Sequence, residues 1–182
     1  SQETLEKVMR VNFSSQAELA RQVALKMLAD DTDGRIVVPS SVQGYFGLPM
    51  RSSYAASKHA LHGYLDSLRA ELAAHSGVSV TVCAPGYVNT ALSRNALTAD
   101  GGAYGETDPT TAAGADPLVV ADAIIDAGES RLSEVDIKPG TSATAAKYLR
   151  RLAPSLLFRK LSSRALDYHQ LVTLIEEAKK PR

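Results

Sequence analysis

Apolar side chains recur at helical spacing over the first 29 residues of the chain. Between residues 3 and 29 they return every three to four positions, which predicts one long amphipathic helix. Its apolar positions are Leu5, Val8, Met9, Val11, Phe13, Leu19, Ala20, Val23, Ala24, Met27 and Leu28. The turn-forming residues 30–34 end the pattern. Asn12 falls in the middle of this helix, where asparagine is mildly unfavourable.

Two short apolar runs follow a different pattern. Residues 35–39, bounded by Gly34 and Ser40, are typical of a strand buried on both faces of a parallel sheet. Residues 78–84 are rich in β-branched side chains and alternate near their start, which predicts a second strand. Pro39 cannot donate to a strand ladder, so we expect it at the last position of its strand.

A second helical pattern lies between these two strands. Residues 53–75 place apolar and small side chains on one face, which predicts an amphipathic helix with Ser52 or Ser53 as its N-cap. The loop before this helix carries Tyr45, Phe46, Leu48, Pro49 and Met50. Such a mixed apolar loop either lines a substrate pocket or packs against its own strand.

The second half of the chain has weaker periodicity. Residues 93–116 show no sustained period, which predicts a long loop of the kind that serves as a lid or a disordered segment. Asp116 and Pro117 suit the N-cap and the first position of the next helix. Residues 134–139 fit a short edge strand, and Pro154 divides the tail into two short helices.

Strands that alternate with helices predict the α/β class with a parallel sheet. The length of 182 residues fits one domain and not two ordinary ones. We therefore expect a single domain over residues 1–182, within which residues 143–182 form a C-terminal helical extension.

The composition is that of an ordinary globular protein, with 45% hydrophobic and 22% charged residues. The formal net charge of zero gives no support for nucleic-acid binding. The one cysteine, Cys83, excludes a disulfide framework and is compatible with a reducing compartment. No apolar run approaches the ~20 residues that span a bilayer, and nothing reads as a signal peptide. We expect an intracellular protein, in the cytoplasm or on the cytosolic face of an internal membrane.

The residues that carry chemistry follow the first predicted strand. Ser40-Ser41-Val42-Gln43-Gly44 comes directly after it, and Tyr54-Ala55-Ala56-Ser57-Lys58 opens the second helix. Positions i and i+4 share a helix face, so the ammonium of Lys58 can lie near the phenol of Tyr54. A nearby positive charge favours phenolate, which would lower a pKa of ~10 towards the working range of an acid–base group. Ser41 could donate a hydrogen bond to the oxygen that Tyr54 protonates, whereas Ser40 reads as a turn residue.

Further motifs lie upstream and downstream in a consistent order. Val11-Asn12-Phe13 precedes these residues and Pro85-Gly86-Tyr87-Val88-Asn89-Thr90 follows them. Together the motifs resemble the short-chain dehydrogenase/reductase superfamily, in order over roughly the first half of the chain. Thr98-Ala99-Asp100-Gly101 and Leu152-Ala153-Pro154 are similar to its dehydrogenase/reductase member-7-like branch.

The resemblance implies an NAD(P)-dependent oxidoreductase that interconverts a carbonyl and a secondary alcohol. Its catalytic residues would be Ser41, Tyr54, Lys58 and Asn12. Tyr54 would be the acid–base group, Lys58 would lower its pKa and contact the ribose, and Ser41 would hold the substrate oxygen. Asn12 would bend its helix and support a proton relay through a water, although it could also be a merely exposed polar residue.

The resemblance also implies a set of cofactor contacts, and we assign no metal site because the sequence shows no ligands at metal spacing. The cofactor-binding residues would be Tyr54, Lys58, Pro85, Gly86, Val88 and Thr90. The backbone at Val88 and the hydroxyl of Thr90 would bind the nicotinamide carboxamide. By itself, Thr90 could instead cap a short helix.

A dinucleotide enzyme of this kind needs a strand, a glycine-rich turn and a helix N-terminus to hold the pyrophosphate. This sequence shows no such motif, and its clustered glycines Gly101, Gly102 and Gly105 lie in the predicted loop. By comparison with the family, the N-terminal β-α units are lacking, so we expect a partial Rossmann-like doubly wound parallel sheet. We expect the chain alone to turn over poorly or not at all. The alternative is a truncated fragment without catalysis that only associates through its long helices.

Cofactor and partner expectations follow from the same resemblance. It favours NADP(H) over NAD(H), a small hydrophobic, lipid- or steroid-like carbonyl or alcohol as substrate, and a homodimer through the two long helices. In the tail, apolar and basic side chains are interleaved over residues 146–165. This pattern fits peripheral membrane contact, or packing on the domain with the charges left in water. We assign no site role to His59, His62, His75 and His169.

Overall fold

The computed structural model describes residues 1–74, 77–98, 101–163, 165 and 173. Predictions that concern His75, His169, Ala99 and Asp100 lie outside these residues, as does most of the chain after residue 165. In chain order the elements are α1 (Gln2–Met9), a π-helical turn (Arg10–Ser14), α2 (Ser15–Ala29), β1 (Gly34–Pro39), a 3₁₀ turn (Val42–Gly44), α3 (Ser52–Leu72), β2 (Val78–Pro85), α4 (Pro109–Ala112), α5 (Pro117–Glu129), β3 (Glu134–Ile137), α6 (Gly140–Leu152) and α7 (Pro154–Ser162).

The sheet has three parallel strands in the order β1-β2-β3. The register pairs Gly34 with Val78 and Val82 with Glu134. Pro39 occupies the last position of β1, as predicted, and the next peptide N–H, that of Ser40, donates to Cys83 O at 2.7 Å. The missing N–H of Pro39 therefore interrupts no hydrogen bond between β1 and β2.

Helices cover both faces of this sheet, which gives the Rossmann-like doubly wound arrangement expected from the sequence. One core lies between the sheet and the pair α2–α3, and a second lies between the sheet and α5. The first contains Ala20, Ala24, Ile36, Val38, Leu61, Leu65, Leu68, Leu72, Val80 and Val82. Alternate residues of β1 point to opposite faces, so Ile36 and Val38 join the first core while Val37 packs on the second.

The predicted first helix is present, but it contains a π-helical turn at Arg10–Ser14. Such a turn inserts extra backbone into a helix and is frequent at functional sites. Asn12 lies within it. The local distortion expected at Asn12 is therefore observed.

Two helix starts test the predicted caps. Asp116 caps α5 as predicted, because its Oδ1 accepts the Leu118 N–H at 2.7 Å. The prediction for α3 was wrong, since Ser52 and Ser53 lie inside the helix and Arg51 is the N-cap residue. Arg51 makes no side-chain cap, but its carbonyl accepts the Ala55 N–H at 2.8 Å and so closes the first helical turn.

The tail forms the two short helices predicted around Pro154, α6 and α7. Ala146, Leu157 and Leu161 are buried against Val42 and Phe46 of the loop that follows β1. That loop thus packs mainly on the C-terminal helices, while Met50 stays 67% exposed. Within the described ranges, no helix has the length and apolarity needed to cross a bilayer.

Candidate active site

The predicted chemistry gathers where β1 ends. Ser41 has an extended backbone and caps the 3₁₀ turn, since its Oγ accepts the Gln43 N–H at 3.2 Å. Its side chain is buried, and its hydroxyl lies near enough to the Tyr54 phenol to lower the pKa of that phenol. Crevices at the carboxyl ends of parallel strands are the usual ligand sites of open α/β sheets, and Ser41 lies at such an end.

Lys58 lies one helical turn after Tyr54 on α3, as the spacing predicted. Its ammonium is 5.8 Å from the centre of the Tyr54 ring, and the residue is only 7% exposed. Burial lowers the pKa of Lys58 to about 8. No carboxylate pairs with this ammonium in the part of the chain that the structure describes.

The pKa of Tyr54 differs in direction from the sequence expectation. We expected Lys58 to lower it, but the pKa of Tyr54 is raised above its ordinary value. Burial of the phenol raises it, and this outweighs the lowering by the hydrogen bond from Ser41 and by the positive charge of Arg51. In this structure Tyr54 is therefore a protonated phenol at neutral pH.

Asn12 joins the site through the helix that carries Tyr54. Its Nδ2 donates to Ser57 Oγ at 3.2 Å, and Ser57 Oγ in turn donates to the Tyr54 carbonyl at 2.7 Å. Ser57 is fully buried and immediately precedes Lys58. These hydrogen bonds connect the π-helical turn to the part of α3 that carries both candidate acid–base residues, Tyr54 and Lys58. Asn12 is therefore not a merely exposed polar residue.

The segment after β2 is placed by contacts with β3 and with the end of the 93–116 loop. Pro85 pairs with Ile137, and the Gly86 N–H donates to Ile137 O at 3.0 Å. A Cβ on Gly86 would lie 2.6 Å from Lys138 O, so the backbone just after β3 lies too close to this position for a larger residue. We expected a glycine at position 86 because it lets the backbone approach a ligand. The contact with Lys138 is a second, structural reason for a glycine there.

The structure shows the hydrogen bonds that are made around Val88 and by Thr90. Ala115 forms an isolated bridge with Val88, in which Ala115 N–H donates to Tyr87 O and Asn89 N–H donates to Ala115 O. In extended chain the peptide groups alternate sides, so those of Val88 point away from Ala115. Thr90 Oγ1 accepts the Leu92 N–H at 3.3 Å in a turn, and among the described residues no helix begins here that Thr90 would cap.

A family model described as short chain dehydrogenase matches residues 1–101, which include Asn12, Ser41, Tyr54, Lys58 and the segment after β2. The chain belongs to the short-chain dehydrogenase family.

Relatives of this short-chain dehydrogenase confirm the member-7-like resemblance. A dehydrogenase/reductase SDR family member 7B from Danio rerio is 48% identical over 158 residues, which cover 87% of this chain and 50% of the relative. A dehydrogenase/reductase SDR family protein 7-like from Anopheles gambiae is 45% identical over 159 residues, covering 87% and 49%. The chain spans about half the length of these curated relatives.

Solved structures of other family members share the fold. A short chain dehydrogenase from Burkholderia cenocepacia in complex with NADP matches with a TM-score of 0.70 and 25% identity, over 88% of this chain and 60% of that one. A 4-hydroxyisoleucine dehydrogenase complexed with NADH and succinate matches with a TM-score of 0.60 and 27% identity, over 79% and 60%.

Sequence reasoning missed a buried polar group beside Ser40, the residue that precedes the candidate catalytic serine Ser41. His62 Nε2 lies 2.8 Å from Ser40 Oγ, and the His62 ring packs edge-on against Tyr45 at 4.9 Å. The Tyr45 hydroxyl donates to Asp136 Oδ1 at 2.9 Å, and Lys147 Nζ also donates to Asp136. The sequence spacing could have indicated this group, because His62 is one turn beyond Lys58 on the same face of α3.

Proposed function

We propose that this chain carries the acid–base machinery of an NAD(P)-dependent oxidoreductase that interconverts a hydrophobic carbonyl and a secondary alcohol. One observation supports it above the others: a buried lysine with no carboxylate partner among the described residues lies beside a half-buried tyrosine that a serine hydroxyl approaches. An isolated buried ammonium costs free energy, so its retention here favours a role in binding or catalysis.

The described residues fit the nicotinamide end of a dinucleotide. The ammonium of Lys58 has donors to spare for ribose hydroxyls, and the peptide groups of Val88 face away from their own loop. When bound, the nicotinamide ring would accept or supply the hydride. The relatives that bind NADP or NADH support a nicotinamide dinucleotide, and the member-7-like resemblance favours NADP(H) within this proposal.

Tyr54 would move the proton of the reaction. In the reducing direction its phenol donates to the carbonyl oxygen while Ser41 holds that oxygen by a hydrogen bond, and a raised pKa keeps Tyr54 in the protonated form that this step needs. Lys58 would stabilise the phenolate that forms. Asn12, through Ser57, would keep the helix turn in place and support the return of a proton from solvent.

The substrate and the oligomer belong to the same proposal. The exposed Met50 and the neighbouring 93–116 loop, with the half-exposed Tyr104, offer apolar surface for a lipid- or steroid-like carbonyl. The exposed Val11, Leu19 and Leu25 of the long first helix offer apolar surface for a homodimer.

The test is hydride transfer to a hydrophobic ketone, with the full chain and the same high concentration of either NADPH or reduced nicotinamide mononucleotide. The mononucleotide needs no pyrophosphate site, so it probes the residues present here. We expect slow ketone-dependent oxidation that falls by about 10²-fold or more in Tyr54→Phe, because general acid catalysis is lost. Arg131→Gln, which removes an arginine paired with Asp33 at the opposite ends of the strands, is the matched control.

Each result of this assay decides between two proposals. Turnover that depends on Tyr54 supports the oxidoreductase. No turnover with either donor supports the alternative, a non-catalytic protein that associates through its long helices. A parallel NADPH fluorescence titration separates weak binding from failed chemistry, and we expect no saturable binding by the chain alone.

We also propose that α6 and α7 contact an anionic membrane surface peripherally. Residues 140–163 carry the basic side chains Lys147, Arg150, Arg151, Arg159 and Lys160 and no acidic one. On the outer side of these helices Tyr148, Leu152, Leu156 and Phe158 are 49–78% exposed. An exposed apolar face bordered by cations suits the headgroup region of anionic bilayers.

Vesicle co-sedimentation tests this second proposal. The chain should pellet with vesicles that contain phosphatidylserine and stay in solution with pure phosphatidylcholine. Leu152→Ser should weaken pelleting, whereas Leu118→Ser, at a comparably exposed leucine on α5, should not. Equal loss in both variants, or equal pelleting with neutral vesicles, would contradict a specific surface on α6 and α7.

A further inference from the structure

Arg51 joins the start of α3 to the long loop that follows β2. Its Nη2 lies 3.1 Å from Asp108 Oδ2, and the two side chains are 35% and 26% exposed. The guanidinium carbon also lies 5.7 Å from the centre of the Tyr87 ring. One side chain therefore contacts both ends of the segment between β2 and α4.

Asp108 makes several hydrogen bonds within this loop and to α4. Its Oδ1 accepts the N–H groups of Thr110 and Thr111, at 2.8 and 3.2 Å, and its own N–H donates to Ser93 Oγ at 3.3 Å. Burial raises the pKa of Asp108, but the hydrogen bonds from Thr111 and Thr110 and the charge of Arg51 outweigh it, so this pKa is lowered. Asp108 is thus a carboxylate at neutral pH, and its bond to Arg51 ties the loop to α3.

The backbone of Arg51 is fixed at the same time. Its N–H donates to Leu48 O at 3.2 Å and its carbonyl accepts from Ala55 in the first turn of α3. Tyr54 lies in that turn, and the positive charge of Arg51 acts on its phenol. Among the described residues, Ser41 after β1 and Arg51 itself act on this phenol, and Lys58 of α3 lies beside its ring.

We propose that Arg51 is a positioning residue that fastens the 93–116 loop to the start of α3 and supplies positive charge to the Tyr54 phenol. The proposal rests on the acid–base role proposed for Tyr54. It assigns two separable parts to one side chain, because the ion pair with Asp108 holds the loop while the charge alone acts on the phenol. An arginine suits both, since its planar group stacks on Tyr87 and pairs with a carboxylate.

Three variants of the full chain separate the two parts. Arg51→Gln removes both the charge and the ion pair. Asp108→Asn removes the ion pair but keeps the cap on α4, because an asparagine oxygen can still accept the N–H bonds. Arg51→Lys keeps the charge but loses the planar group. Arg131→Gln is the control, since its partner Asp33 lies before β1, away from Tyr54.

The first measurement is trypsin cleavage after Arg94, an exposed site in the loop, followed by mass spectrometry. A partly exposed ion pair contributes up to about 1 kcal/mol, which corresponds to about fivefold in an opening equilibrium. We expect cleavage to be up to about fivefold faster in Arg51→Gln and Asp108→Asn, intermediate in Arg51→Lys, and unchanged in Arg131→Gln.

The second measurement is the tyrosinate absorbance of each variant against pH, with the same variant carrying Tyr54→Phe subtracted. The Tyr54 pKa should rise in Arg51→Gln. It should remain at the wild-type value in Arg51→Lys, and it should not rise in Asp108→Asn. A role in folding alone would not produce this separation, and neither measurement uses cofactor or substrate, so each stands if the proposed reaction fails.

Two results would overturn the proposal. Cleavage after Arg94 at the wild-type rate in both Arg51→Gln and Asp108→Asn would show that the ion pair does not hold the loop. An equal rise of the Tyr54 pKa in Arg51→Gln and Asp108→Asn would show that loop position, and not the charge of Arg51, acts on the phenol.

Discussion

The ammonium of Lys58 lies 5.8 Å from the centre of the Tyr54 ring, and no described carboxylate neutralises it. Burial lowers the pKa of Lys58 to about 8 and raises that of Tyr54. Burial thus shifts both groups towards their neutral forms, although Lys58, with a pKa of about 8, remains mostly charged at neutral pH. The free-energy cost of this arrangement can be measured without a ligand.

Lys58→Met should stabilise the chain at neutral pH. The unfolded lysine, with a pKa near ~10.4, binds protons that the folded one with a pKa of about 8 does not. Wild-type stability should therefore rise from pH 8 to about pH 10.4, and below pH 8 the buried charge should cost about 3 kcal/mol. Urea unfolding at pH 7, 9 and 10 should show this rise in wild type and not in Lys58→Met. Lys26→Met, at a 76% exposed position, should keep the rise.

Ser41→Ala should raise the pKa of Tyr54 further. The hydrogen bond from Ser41 opposes the effect of burial on this phenol, and the variant removes it. It also removes the acceptor of the Gln43 N–H, which should cost about 1 kcal/mol of folding stability. Tyrosinate absorbance against pH measures the first effect. Ser67→Ala, whose hydroxyl bonds Gly63 O on the far part of α3, should leave the titration unchanged.

His62→Gln should make the protein less sensitive to acid. Burial lowers the pKa of His62, so the unfolded chain, with a histidine pKa near ~6.5, takes up its proton first as the pH falls. Stability should therefore be lost progressively below about pH 6.5, and glutamine, which does not titrate but can still bond Ser40, should reduce that loss. The free energy of unfolding at pH 7 and pH 5 measures it. If His59→Gln reduces the loss equally, His62 is not its source.

Gly44→Ala should destabilise the loop that carries Ser41. A Cβ at this position would lie 2.4 Å from His62 Nε2, and that ring is held by Ser40 and packed on Tyr45. Overpacking of this kind costs about 1–3 kcal/mol. Gly47→Ala is the matched control, because its Cβ would meet only Ala55 Cβ at 3.7 Å. Thermal unfolding should separate the two variants, and equal midpoints would contradict a rigid His62.

The sequence alone predicted those features that depend on residues close together in the chain. Helical spacing predicted α2, α3 and α5, and short apolar runs predicted β1 and β2. Pro154 predicted the division between α6 and α7. The i,i+4 spacing of Tyr54 and Lys58 is sufficient to place both side chains on one face of their helix. Local steric and hydrogen-bonding rules decide structure at this range.

Burial, long-range pairing and the start of α3 were decided only by the tertiary structure. The direction of the Tyr54 pKa was mispredicted because desolvation depends on what covers the phenol, which no spacing reveals. Asn12 meets Ser57 across 45 positions and Arg51 meets Asp108 across 57, and a chain of 182 residues allows very many such pairings. Folding selects among them by packing both faces of one sheet, and that packing brings the serine, tyrosine, lysine and asparagine together.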